Sequence, residues 1–277
     1  MHPMFTFGWF SSGRDQAAID LFSTTLEHLR SGFIPGRLAY VFCDRDPGET
    51  PASDRFLEAV RDAGVPLVTH SSRDLRRLIR GRAPALEAAR EAFDVQVMAL
   101  LAPFPARVAV LAGYMLIISP LLSRAFLCLN LHPALPGGPK GAWQEVIWQL
   151  LAQEARETGA MMHLATPELD EGPPVTYFRF PLRGPEFDPL WEAFARKKAV
   201  SGLDAVRARE GEAEPLFAKI RAEELRREFP LILLTLRSLA RGEIVLTPEG
   251  PRAAGRLVTG GFDLTDRVER YLLEKKA

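Results

Sequence analysis

Short runs of apolar residues alternate along the first two thirds of the chain with longer segments whose apolar positions recur at helical spacing. This alternation is typical of βαβ units and predicts an α/β fold with a mainly parallel sheet flanked by helices. The apolar runs predict strands over 5–10, 38–43, 66–68, 108–111, 127–131, 160–164 and 175–180. The helical spacing predicts helices over 16–30, 53–63, 85–101, 119–126 and 142–158, with Ser53 as an N-cap and Gly159 as a stop.

The character of the sequence changes after Pro181. The chain becomes helical and highly charged as far as Arg241, and Pro230 predicts a kink or break in that helical stretch. Two short apolar segments, 243–247 and 255–258, follow on either side of a Pro/Gly turn. They predict a hairpin near the C-terminus.

Composition narrows the possible partners. The 277 residues are 47% apolar, and 35 Lys and Arg balance 35 Asp and Glu. Zero net charge gives no general attraction to nucleic acid or to an anionic membrane, and a local basic patch stays possible. The small-molecule substrates are instead what the family resemblance described below implies. Segment 1–10 does not read as a signal peptide, and the most apolar region, 108–131, is too interrupted to span a bilayer. Two cysteines that both read as buried favour a reducing, cytoplasmic location and no metal site.

The first candidate for chemistry follows the first strand. In an open parallel sheet, ligands bind beyond the carboxyl ends of the strands, so the residues that follow each strand matter most. Ser12, Gly13 and Arg14 open the first helix, where backbone N–H groups and a guanidinium could hold a phosphate. The same residues could equally form a tight turn and a helix cap.

The second candidate is Asn130-Leu131-His132-Pro133 at the end of the fifth strand. Alternation along a strand places Asn130 and His132 on the same face, where an amide and an imidazole could polarise a carbonyl and move a proton. The alternative is structural: Asn130 could tie the loop backbone and His132 could be a buried, hydrogen-bonded histidine.

The third candidate is the carboxylate-rich loop 168–174, which precedes a predicted strand. It could be a functional loop or a solvated turn. His163 lies in the strand just upstream and could support a site or bond a loop carbonyl.

Taken together, these segments resemble the glycinamide ribonucleotide formyltransferase family and the wider group of enzymes that use 10-formyltetrahydrofolate. The resemblance rests on the Asn-Leu-His-Pro element, the Pro/Gly loop after it, residues 159–163 and the later Leu-Asp-Glu-Gly-Pro. Residues 110–115 are similar to the family's folate-pocket segment, and residues 225–245 are similar to its Phe-Pro helix and following strand.

The resemblance implies a Rossmann-like formyltransferase fold and a transferase of one-carbon metabolism, in purine biosynthesis. It implies that the substrate amine attacks the formyl carbon directly through a tetrahedral intermediate, with 10-formyltetrahydrofolate as co-substrate and no metal. Asn130 would bind the developing oxyanion, His132 would move protons, and Asp170 would hold His132 in its useful protonation state, with His163 in support. Ser12, Gly13 and Arg14 would bind the substrate phosphate. The folate would lie along Leu111, Gly113, Tyr114, Met115, Leu116, Ile117, Leu169, Glu171, Gly172 and Pro173.

The sequence departs from the family pattern at several positions. Leu116 stands where many members have Arg, and Leu225 falls near the place of an acidic residue that contacts substrate. Residues 183–214 resemble an insertion, which could serve as a lid or as a homodimer contact. We therefore expect one domain over 1–277, with a core (1–182), this insertion, and a C-terminal helix and hairpin (215–277).

The family resemblance leaves the acceptor open. A formyltetrahydrofolate hydrolase would use water in place of the amine, but such enzymes usually carry an N-terminal regulatory domain. Another amine, such as a sugar nucleotide, is a further alternative. Initiator methionyl-tRNA is less favoured because its enzymes usually add a basic C-terminal barrel. The remaining alternative is a non-catalytic nucleotide-binding or regulatory protein with the same fold.

Overall fold

The computed structural model describes residues 4–81, 86–168 and 170–275. The strands are β1 (Phe5–Ser11), β2 (Gly36–Cys43), β3 (Leu67–Thr69), β4 (Val108–Leu111), β5 (Leu127–His132), β6 (Glu157–Leu164), β7 (Pro174–Pro181), β8 (Val245–Thr247), β9 (Gly250–Ala253), β10 (Arg256–Leu257) and β11 (Phe262–Asp263). The helices are α1 (Gln16–Arg30), α2 (Pro51–Asp62), α3 (Arg73–Gly81), α4 (Leu86–Leu101), α5 (Pro120–Ala125), α6 (Trp143–Ala152), α7 (Asp188–Ser201), α8 (Leu203–Glu210), α9 (Pro215–Ala240) and α10 (Thr265–Glu274).

Eight of these strands form a sheet in the order β11-β7-β6-β5-β4-β1-β2-β3. The pairs β1–β2, β1–β4, β2–β3, β4–β5 and β7–β11 are all parallel. The chain first adds β2 and β3 on one side of β1, and then adds β4 and the later strands on the other side. The direction in which strands are added therefore reverses between β1 and β4. This arrangement confirms the Rossmann-like α/β fold with a mainly parallel sheet, and it makes the carboxyl ends of β1 and β4 a switch point.

Contacts group the chain into two compact units. The first holds the described residues within 1–130, 163–173 and 235–259, and the second holds those within 131–162, 174–234 and 260–277. The core of the first unit is aromatic, with Phe10, Tyr40 and Phe42 fully buried between the sheet and α4. In the second unit, Val146 and Leu150 of α6 pack with Ala134. The expectation of one domain over 1–277 stays a prediction.

Two local predictions in the first half of the chain need correction. Ser53 is not the cap of α2. Thr50 is, because its side chain accepts the Ser53 N–H at 3.1 Å and Pro51 provides the first helical residue. Gly159 does not stop α6, which already ends at Ala152. Gly159 lies inside β6, where a Cβ would overlap the carbonyl oxygen of Phe178, so its role is close strand packing.

The C-terminal region also differs from its prediction. Helix α9 continues through Pro230 as one 26-residue element, so the helix does not break there, and the kink stays a prediction. The predicted hairpin paired 243–247 with 255–258, but β8 pairs with β9 and β10 then pairs with β9, which gives a three-stranded antiparallel sheet. Strand β11 and helix α10 follow, and neither was predicted. No helix in the described part of the chain combines the length and apolar character needed to cross a bilayer.

Residues 183–214, interpreted from the sequence as an insertion, form α7, α8 and a short 3-10 turn. A cleft of about 630 Å³ runs along α7, and Arg183, Trp191 and Lys198 are among its lining residues. The Arg183 guanidinium lies over the Trp191 ring at 4.0 Å from its centre. None of the lining residues belongs to the predicted site, so the lid or dimer role of this segment stays a prediction.

Candidate active site

Asn130 lies in β5, two residues before the strand ends, where it pairs in register with Leu111 of β4. Its amide nitrogen Nδ2 is 3.2 Å from Nε2 of His163. The other ring nitrogen of His163, Nδ1, is 3.0 Å from the carbonyl oxygen of Leu164. A carbonyl oxygen can only accept, so Nδ1 carries the proton and Nε2 accepts from Asn130. The histidine thereby orients the Asn130 amide and leaves a second amide N–H for another acceptor.

Asp170 lies in the loop that follows β6. Its Oδ1 is 3.8 Å from Nε2 of His163, and its side chain is only 6% exposed. The backbone of Asp170 adopts a left-handed conformation with φ of 58°, which Asp tolerates better than most residues. In the structure Nε2 of His163, which the sequence suggested only as a supporting residue, lies near both the Asn130 amide and the Asp170 carboxylate.

The close approach of this loop to the end of β6 depends on Gly172. A Cβ on Gly172 would overlap the carbonyl oxygen of Leu164, the same oxygen that bonds His163. The Leu164 N–H also donates to the Pro173 carbonyl at 3.0 Å. The turn therefore closes tightly on the end of β6, and this closure brings Asp170 to His163.

We expect Gly172→Ala to lower the free energy of unfolding by about 1–3 kcal/mol, because the added methyl group must displace backbone in a closed turn. Urea unfolding followed by circular dichroism measures this loss. The matched control is Gly81→Ala, where a Cβ meets nothing within 4 Å, and it should leave stability nearly unchanged. Equal effects of the two substitutions would contradict the packing role of Gly172.

His132, two residues after Asn130, is buried in the second unit. Its Nε2 is 2.8 Å from the carbonyl oxygen of Pro139, so Nε2 carries the proton of the neutral ring. The Pro/Gly loop after His132 turns tightly, with Ala134 N–H donating to the His132 carbonyl at 2.9 Å. This hydrogen bond from the loop favours the His132 tautomer that carries its proton on Nε2.

Ser12 connects two of the predicted binding segments. Its Oγ accepts the Met115 N–H at 3.2 Å, and its own N–H donates to the Gly113 carbonyl at 3.3 Å. Ser12 and Gly13 are buried, whereas Arg14 is exposed. Asp15 caps α1 by accepting the Ala18 N–H at 3.1 Å. The Ser12 bridge to Met115 could not be predicted from the sequence, because it joins loops on neighbouring strands.

The predicted folate segment alternates between core and surface. Tyr114 is fully enclosed, its ring is 5.5 Å from that of Phe10, and burial raises its pKa well above the usual value. Leu111 and Leu116 are buried as well, while Gly113, Met115 and Ile117 are exposed. In the second predicted segment Glu171 is exposed and Pro173 is partly buried; Leu169 lies outside the described residues.

A further polar cluster, missed in the sequence, lies beyond the carboxyl end of β2. The Asp44 carboxylate accepts the Ser72 hydroxyl at 2.5 Å, and Arg76 joins Asp44 at 3.3 Å to Glu49 at 2.6 Å. Burial raises the pKa of Glu49, but hydrogen bonds from Ser71, the Asp46 N–H and Arg76 outweigh it and hold the pKa low. The polar loop after the second predicted strand was the available signal. Among the described residues, no group of three or more His, Cys, Asp or Glu is arranged to hold a metal.

Comparison with known proteins gives a family match. The sequence profile described as "Formyl transferase" matches residues 17–182, which is more than half of the chain. The chain belongs to the formyl transferase family. The match spans α1 to the end of β7 and so includes Asn130, His132, His163 and Asp170.

Two curated relatives are named phosphoribosylglycinamide formyltransferase. The protein from Escherichia coli is 31% identical over 160 residues, which are 57% of this chain and 66% of the relative. The protein from Schizosaccharomyces pombe is 28% identical over 133 residues, 46% of this chain and 62% of the relative. The chain thus spans a little under two thirds of the length of these curated relatives. The structure of a glycinamide ribonucleotide transformylase from Symbiobacterium toebii superposes with a TM-score of 0.60 at 24% identity, covering 91% of this chain and 95% of that one.

Proposed function

We propose that this chain transfers a formyl group from 10-formyltetrahydrofolate to the amine of glycinamide ribonucleotide, a step of purine biosynthesis. The observation that supports this most is the Asn130 amide, which His163 orients by one hydrogen bond and which keeps a second N–H. Preorganised donors of this kind stabilise the negative charge that develops on an acyl oxygen during attack.

The other residues supply proton transfer and electrostatics. His132 lies two residues from Asn130 in β5, so the two side chains leave the strand on the same face. With Nε2 bonded to Pro139, its Nδ1 is the nitrogen through which a proton would move. For Asp170 we propose the role implied by the family resemblance, which is to orient a proton-carrying water and to hold His132 in its useful protonation state.

The substrates would bind along the loop 12–14 and the segment 111–117, which the hydrogen bonds of Ser12 connect. Backbone groups of 111–117 and of 170–173 would hold the pterin, because Tyr114 and Leu116 direct their side chains into the core. Ser12, Gly13 and Arg14 would bind the substrate phosphate. We further propose that the protein acts in the cytoplasm on small molecules alone, without nucleic acid, membrane or metal, and could form a homodimer.

We expect the purified chain to convert 10-formyltetrahydrofolate to tetrahydrofolate only when glycinamide ribonucleotide is present, because the amine is the attacking group. A spectrophotometric assay of folate deformylation, with and without the amine, measures this. The His132→Ala variant purified in the same way should lose the turnover, which excludes a contaminating enzyme.

Two outcomes would contradict the proposal in an informative way. Equal turnover with and without amine would indicate a formyltetrahydrofolate hydrolase. Turnover that requires a different amine, such as an amino sugar nucleotide, would keep the formyl chemistry and replace the acceptor.

A further inference from the structure

The cleft of about 630 Å³ along α7 lies within the second compact unit, and its volume is typical of sites for small molecules. One face of α7 lines it, because Asp188, Glu192 and Ala195 follow one another at helical spacing. Arg183 and Glu154 line it from outside that helix. None of these residues belongs to the candidate active site, so the cleft is a separate candidate for ligand binding.

The cleft contains a flat stacked pair. The Arg183 guanidinium lies over the Trp191 ring at 4.0 Å from its centre, and the indole N–H donates to the Leu182 carbonyl at 2.6 Å. Arg183 donates to the carbonyl oxygens of Leu182 and Glu154 at 3.2 and 3.0 Å. Both acceptors are neutral and a guanidinium has five N–H groups, so charge and donors remain. Guanidinium planes and aromatic rings are the surfaces on which nucleobases stack.

Charge is distributed unevenly along the cleft. Asp188 and the exposed Glu192 lie towards the N-terminal end of α7. Lys198 lies towards the other end, seven residues after Trp191, which is about 10 Å along a helix axis. Lys198 donates to the Glu154 carboxylate at 3.1 Å and has further N–H groups to offer. A matching ligand carries N–H donors at one end and an anionic group at the other.

The backbone of Glu154 is a further sign that this cleft has a function. Helix α6 ends at Ala152, and Glu154 follows it in the left-handed region with φ of 51°. Glycine is the usual residue at such a place, because a Cβ strains this conformation. Glu154 instead offers its carboxylate to Lys198 and its carbonyl to Arg183, so it positions both cations of the cleft. Strained residues of this kind concentrate at functional sites.

We propose that this cleft binds a nucleoside monophosphate. The base stacks on the pair formed by Arg183 and Trp191, its N–H groups donate to Glu192, and the phosphate accepts from Lys198. The separation of about 10 Å between Trp191 and Lys198 along the helix is comparable to the reach from base to phosphate in such a molecule. This binding does not depend on which reaction the candidate active site carries out.

Titration calorimetry of the purified chain with guanosine 5′-monophosphate and with guanosine tests the proposal, because guanine offers adjacent N–H groups to a carboxylate. The wild type should bind the nucleotide at least about ten-fold more tightly than the nucleoside, since only the nucleotide reaches Lys198 with a charge-assisted hydrogen bond. Lys198→Gln should remove that preference. Glu192→Gln should raise the Kd for the nucleotide, because it replaces an acceptor oxygen beside the base by a donor nitrogen.

Arg196→Gln is the matched control. Arg196 is an exposed cation on the same helix and lies outside the lining of the cleft, so its loss should leave the Kd unchanged. Circular dichroism should give the wild-type spectrum for all three variants, since none of these side chains is buried. The proposal is overturned if the wild type does not bind the nucleotide, if Lys198→Gln and Glu192→Gln leave binding intact, or if Arg196→Gln weakens it equally.

Discussion

Asn130→Ala is expected to lower kcat for formyl transfer by about 10²- to 10³-fold while KM changes little. The loss arises because the amide N–H left over from the bond to His163 would donate to the formyl oxygen most strongly when that oxygen becomes negative. Steady-state kinetics with the purified variant, at saturating concentrations of both substrates, measures the change.

Asn130→Asp is the matched variant for this prediction. It keeps the size of the side chain and replaces the donor nitrogen by an oxygen, so it should lose kcat to a similar extent. Thermal unfolding of both variants should stay close to that of the wild type, because Asn130 lies near the end of a strand and is only partly buried. Full activity in Asn130→Asp would contradict the donor role of the amide.

Glu224→Leu is expected to raise the free energy of unfolding by about 1–4 kcal/mol at about pH 8. Glu224 is fully buried within α9, and neither carboxylate oxygen has a hydrogen-bond partner. Arg221 lies 3.6 Å from one Glu224 oxygen, which is an ion-pair distance but too long for a hydrogen bond, and it also pairs with Glu228 at 2.5 Å. Burial, and after it the nearby negative charge of Glu228, raises the pKa of Glu224 well above its usual value.

The raised pKa fixes the direction of the pH effect. Below about pH 4.3, the usual glutamate value, Glu224 is protonated in both states and has no ionisation penalty. As the pH rises above that value, the unfolded chain ionises while the folded chain keeps its proton, so the wild type loses stability. The advantage of Glu224→Leu should therefore be larger at about pH 8 than at about pH 5 in urea unfolding.

Glu223, the preceding residue, provides a control of opposite sign. Burial raises its pKa, but bonds from Arg227 and Lys219 outweigh that effect and lower it. Glu223→Gln should therefore destabilise the protein above the usual carboxylate pKa, where those bonds are intact. A stabilising effect of Glu223→Gln, or a destabilising effect of Glu224→Leu, would contradict this account of the helix.

The sequence predicted the central strands well for a physical reason. Val108–Leu111 is a run of apolar residues, the last three of them buried, and its predicted limits match β4. Helix α1 also matches, because Asp15 caps it and its buried positions recur at helical spacing. These features depend on neighbours along the chain, and neighbours are visible in a sequence.

The errors share a different cause. In the sequence Gly159 resembles a helix stop. In the structure a glycine is needed there because β7 packs closely against it, which is a tertiary property. The chain turns twice after β8, once between β8 and β9 and once between β9 and β10, and both turns contain Pro or Gly, so the sequence did not show that 250–253 forms a strand between them. Strand β11 has two residues and exists only because β7 offers it a partner.

The candidate site was visible in part. Asn130, His132 and Asp170 could be named because short motifs and a family resemblance mark them. The contact of Asp170 with His163 could not be foreseen, since it requires the loop after β6 to fold back over Leu164. The resemblance supplied residue types and roles, and the structure supplied the hydrogen bond that orients the amide.

The Ser12 hydroxyl has a consequence for how this sequence can vary. It accepts the backbone N–H of Met115, 103 positions away, so a partly buried hydrogen bond links the loop after β1 to the loop after β4. A replacement that lacks an acceptor would leave the Met115 N–H without this partner and weaken the link between the two loops, although the bond from the Ser12 N–H to the Gly113 carbonyl would remain. Divergence in either loop is therefore constrained by the other, and the pair should change together over evolutionary time.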